Sequence, residues 1–108
     1  MMKRKIAAAF FLALAAPGAV AALPVATKGP VSFDCTAPGG GDGMLTARFY
    51  ETNPAMVLLE RGGETRPAFQ VPAASGAKYE GDDVLFWDAH GEASLTWSGA
   101  ALTCRPRR

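Results

Sequence analysis

The sequence predicts an all-β domain, a barrel or sandwich of seven or eight short strands. Three observations predict it. Short apolar runs, several of them alternating with polar residues, recur along most of the chain. Clusters of Gly, Pro, Asn and Asp separate them. No window beyond the first 21 residues carries an apolar stripe at helical spacing.

The first stretch stands apart from that domain. Met1 to Lys5 is cationic, Ile6 to Ala16 is apolar, Pro17-Gly18 breaks the run, and Ala19-Val20-Ala21 is a small-x-small cleavage pattern. These are the parts of a secretory signal peptide, residues 1–21. The apolar run is shorter than the roughly 20 residues of a membrane-spanning helix; an uncleaved signal anchor is the competing reading. No Cys stands at the end of this region to carry a lipid. The expectation is an exported protein without transmembrane or lipid anchor. Ala-, Gly- and Arg-rich usage points to a bacterial periplasm, with secretion outside the cell the alternative. Residues 22–30 (ALPVATKGP) have no period and two prolines and read as a flexible leader. The domain is then 31–108.

Val31 to Cys35 alternates, placing Val31, Phe33 and Cys35 on one face. Residues 36–43 (TAPGGGDG) form a loop. Met44 to Glu51 is the next strand, closed by the turn residues Thr52-Asn53-Pro54. Ala55 to Arg61 is apolar enough for a central strand, and Gly62-Gly63 suits a two-residue hairpin turn. Glu64 to Val71 follows, with Pro67 demoting part of it to an edge or bulge. After the turn segment 72–76 come Ala77 to Glu80, Val84 to Asp88, Glu92 to Trp97 and Ala100 to Cys104, joined by short turns. Phe86-Trp87 carries extra information. Neighbours on a strand face opposite sides, so one of these aromatics lies away from the core, to support a loop or meet a partner.

Removing Lys3, Arg4 and Lys5 with the signal takes the net charge from +1 to −2. That argues against nucleic acid, which needs a basic face, and is compatible with a basic protein partner. Cys35 and Cys104 are the only cysteines; in an exported chain they read as one disulfide, with two free buried thiols the alternative. Together with the single His90 they do not make a closed zinc site without carboxylates. No metal or cofactor is expected. Nor is catalysis. No Ser sits in a nucleophile-elbow context, Asp82-Asp83 beside Gly81 reads as a turn, and Gly39-Gly40-Gly41 lacks the Lys-Ser/Thr of a phosphate loop.

Ser75-Gly76-Ala77-Lys78-Tyr79 resembles the S-G-x-[RK]-Y motif of the MliC/PliC family, membrane-bound and periplasmic inhibitors of c-type lysozyme. Val84-Leu85-Phe86-Trp87 and then Glu92-Ala93 follow at the family's spacing, and the two cysteines match in position. The resemblance runs from about Phe33 to Cys104. It implies a small antiparallel β-barrel whose motif loop enters the lysozyme cleft. Lysozyme keeps one catalytic carboxyl protonated and one ionised, and a Ser hydroxyl, which donates and accepts, satisfies either. By resemblance Ser75 is that group, Gly76 permits close approach, and Tyr79 braces the loop or touches the cleft wall. One departure stands out. The family has a Lys two residues past the Trp, and here that position is Ala89. Losing one charge-assisted bond costs roughly 1.5–3 kcal/mol, about ten- to a hundred-fold in affinity. Lys78 and His90 are the substitutes at hand; a protonated His90 would make inhibition stronger in acid. Ala89 also supports a second reading, a periplasmic binding or envelope-structural module that kept the barrel and lost inhibition.

Overall fold

The computed structural model describes residues 25–107 in eight strands. These are β1 (Thr27–Thr36), β2 (Asp42–Tyr50), β3 (Met56–Arg61), β4 (Glu64–Val71), β5 (Ala77–Gly81), β6 (Val84–Ala89), β7 (Glu92–Trp97) and β8 (Ala100–Pro106). The expected signal peptide 1–21, residues 22–24 of the expected leader, and Arg108 lie outside the described residues. Each strand pairs antiparallel with the next, and β8 returns to β1, so the sheet closes as an up-and-down barrel. Between barrel and sandwich, the barrel is the outcome, and closure removes the open edge of the sheet.

The alternation read in the sequence is the alternation of inside and outside. Phe33, Leu45, Leu59, Phe86 and Leu95 are each at most 2% exposed. Burying a side chain of this size contributes roughly 1.5–3 kcal/mol. Phe33 and Phe86 meet edge to face across the lumen at 5.6 Å. The seam between β1 and β8 is short, Phe33–Thr36 against Thr103–Pro106. Cys35 lies opposite Cys104 there, and the two form the disulfide.

One expectation changes in detail. β1 starts at Thr27, so the last four residues of the stretch read as leader belong to the sheet: Thr27 and Lys28 pair with Tyr50 and Phe49. The lost alternation there has a local cause. The register shifts between Lys28 and Val31, where Gly29 takes φ +108 and Pro30 has no N–H to give the ladder. The reading of Pro67 holds: it sits inside β4 opposite Leu58, and β4 pairs with β5 only from Phe69 onward, so the proline's stretch is an edge. The proline is tolerated because its stretch of β4 has no ladder partner on the β5 side.

The connections sort by end. Gly62-Gly63, Asp82-Asp83 and Ser98-Gly99 turn the chain at one end; the loops 51–55 and 72–76 and the turn His90-Gly91 lie at the other. Trp97 plugs the first end, with the Arg66 and Arg61 guanidinium groups 4.3 and 5.8 Å from its ring centroid. Arg66 also lies 3.4 Å from Glu64 and 3.7 Å from Asp83.

Candidate functional site

The second end carries every residue the motif singled out. The loop 72–76 joins β4 to β5 and leans on the end of β6. Gly76 has φ +68, and a Cβ there would overlap the Asp88 carbonyl and come within 2.7 Å of the Ala89 Cβ. Only glycine lets the loop lie this close to β6.

Ser75 is exposed, and its hydroxyl makes no hydrogen bond to the described residues. Its backbone is held nonetheless. The Trp87 indole N–H donates to the Ser75 carbonyl at 2.8 Å. Trp87 is the outward member of the Phe86-Trp87 pair: Phe86 is fully buried and Trp87 half-buried. Sequence reasoning narrowed the choice to these two aromatics and missed Trp87 as part of the site. Its signal was the period-2 pattern, which puts one of the two on the outer wall; the pairing of β5 with β6 then brings Trp87 beside the loop.

Lys78 is half-buried and pairs with Trp87 across β5 and β6. Its ammonium lies 5.0 Å from the indole centroid, a cation–π contact. Tyr79 points the other way. Its side chain is 7% exposed, inside the barrel, with its ring 5.9 Å from Phe49 and 6.3 Å from Phe86. Burial raises the Tyr79 phenol above its ordinary value of 10.0, and the neighbouring Asp88 charge adds to the effect. Tyr79 thus supports the barrel beneath the loop and presents little surface of its own.

His90 is exposed at φ +58, the first residue of a two-residue turn completed by Gly91 at φ +81. The loop 51–55 flanks the other side of the motif loop; Thr52, Pro54, Ala55, Gln70, Pro72 and Gly76 line the shallow groove between them. No group of three or more His, Cys, Asp or Glu able to hold a metal occurs among the described residues. No helix among them is long and apolar enough to cross a membrane.

Residues 39–103 match the family model described as MliC, membrane-bound lysozyme-inhibitor of c-type lysozyme. The chain belongs to the MliC family. Similar proteins include lipoprotein LprI of Mycobacterium tuberculosis and of Mycobacterium bovis, each 35% identical over 88 residues, or 81% of this chain and 43% of theirs. The chain therefore spans less than half the length of these relatives. Among solved structures, Pseudomonas aeruginosa MliC in complex with hen egg white lysozyme is similar in fold, with a TM-score of 0.54 at 23% identity. That likeness covers 86% of this chain and 99% of the other.

Proposed function

We propose that this protein inhibits c-type lysozyme by inserting the loop that carries Ser75 and Gly76 into the active-site cleft. One observation carries the reading. Ser75 is an exposed residue of a loop whose backbone is tied down while its hydroxyl is unused. A hydroxyl in that state suits a cleft lined by one protonated and one ionised carboxyl, since it donates to one form and accepts from the other. The restraint on the loop reduces the ordering entropy lost on docking. Membership of a family described as lysozyme inhibitors agrees with this. The protein does no chemistry in this reading; it occupies the place of the substrate. Residues 1–21 act as its export signal, and the mature chain from Ala22 works in the periplasm.

The test is lysis of bacterial cell walls by c-type lysozyme with the purified protein added, beside Ser75→Ala. Inhibition that weakens roughly ten-fold or more in the variant is expected, the scale of a hydrogen bond to a charged group. No inhibition at micromolar protein between pH 5 and 8 would sink the proposal. The second reading, a barrel that has lost inhibition, rests on Ala89. It would lead if the protein bound no lysozyme while Ala89→Lys did.

A further inference from the structure

We infer that Lys78, laid on Trp87, is the cation with which this chain meets a carboxylate of its partner, and that Trp87 positions both this ammonium and Ser75. The inference rests on the inhibitor reading and assigns the charge recognition within it.

The cations of the described residues differ in what already occupies them. Arg61 and Arg66 cover Trp97 at the far end of the barrel. Arg105 pairs with Glu92 at 3.1 Å and Arg107 with Asp34 at 3.3 Å. Arg48 shares a groove on the outer wall with Glu60. Lys28 lies over Phe49 and lines a recess that also holds Glu51 and Asp88. Lys78 has no ion-pair partner among the described residues, and it is the one placed against the indole that holds Ser75.

One side chain therefore touches both groups. The Trp87 ring carries the ammonium at 5.0 Å, and its N–H fixes the Ser75 carbonyl at 2.8 Å. Lys78 is half-buried against the ring, and an ammonium has three donors to offer. A lysine already restrained on a ring loses less rotamer freedom when it binds than a free surface lysine. An ammonium and a free hydroxyl on one support fit a carboxylate: the ammonium supplies a charge-assisted bond and the hydroxyl a second donor. Ala89 is a methyl group packed at the Gly76 turn and offers no charge.

The test is a double-mutant cycle on binding of c-type lysozyme. Lys78→Met keeps the stem and removes the charge. The partner is lysozyme as it stands, and lysozyme whose ionised catalytic carboxylate is replaced by its amide. Lys78→Met is expected to weaken binding to the first roughly ten- to a hundred-fold and to the second by less than about two-fold. Equal losses against both would overturn the inference and leave the inhibitor reading standing. Absence of binding by the unaltered protein would overturn both. Trp87→Leu removes the ring under the ammonium together with the N–H to Ser75. In that background the extra loss from Lys78→Met against unaltered lysozyme should shrink towards unity, while the unfolding midpoint stays that of a folded barrel. A coupling of full size in the Leu background would overturn the positioning role of Trp87.

Discussion

Adjacent residues of the motif loop do opposite jobs, and mutation separates them. The Ser75 hydroxyl has no partner within the described residues, so Ser75→Ala should cost affinity and leave the unfolding midpoint unchanged. Gly76→Ala should do the reverse first. It forces a Cβ into the Asp88 carbonyl and the Ala89 side chain at a positive φ, a strain of at least about 1–3 kcal/mol. Thermal unfolding would record the loss before any binding assay did. Tyr79 adds a pH dependence. Its phenol is raised by burial and by Asp88, so the neutral form is favoured in the folded state. The stability this contributes is fully present below the unfolded value of about 10 and is lost as pH rises through the raised folded value. Urea unfolding from pH 8 to 11 should show a downward slope at the alkaline end, and Tyr79→Phe should flatten it.

At the scale of strands and turns, the sequence was most legible where side chains alternate and glycine marks the turn. Gly62-Gly63 both take positive φ, as a type I′ hairpin requires, and the Cys35–Cys104 pair lies directly across two strands. Legibility failed where a local device broke the pattern. Gly29-Pro30 hides four residues of β1 behind a bulge, whereas Pro67 correctly marked the edge stretch of β4. The site was half legible for a related reason. Motif spacing pointed to Ser75, Gly76 and Lys78, but the brace between them is a contact between β6 and the preceding loop, twelve residues apart, which no local pattern encodes. The turn at His90 gives a prediction of its own. Ser98-Gly99 and His90-Gly91 share the geometry of Gly62-Gly63, yet each places a side chain at positive φ. His90→Asn, better suited to that conformation, should stabilise the protein by up to about 1 kcal/mol. For a domain near 100 residues that is a rise of about 4–8 °C in Tm. Lysozyme inhibition at neutral pH should be unchanged; a loss there would make His90 a contact residue.

For the whole molecule, closure and function sit on opposite sides of the barrel. The seam where β8 meets β1 has only four residue pairs, and the disulfide bridges it across a sequence separation of 69. The loop 72–76 joins β4 to β5, half-way around the strand order from that seam. A cross-link of this span restricts the unfolded chain by about 4 kcal/mol in the chain-entropy model, a large part of the 5–15 kcal/mol that typical domains have. Cys35→Ala with Cys104→Ala should therefore lower the unfolding free energy by about 4 kcal/mol, and so should reductant on the unaltered protein. Urea titration with and without reductant measures both. The motif loop depends on Gly76, Trp87 and the ends of β5 and β6, strands that pair with neither β1 nor β8. At low temperature, where the double variant is still folded, its lysozyme affinity per folded molecule should equal that of the unaltered protein. An affinity loss in the folded double variant would mean that the seam and the loop are mechanically coupled through the barrel, and that the disulfide shapes the inhibitory end as well as holding the molecule shut.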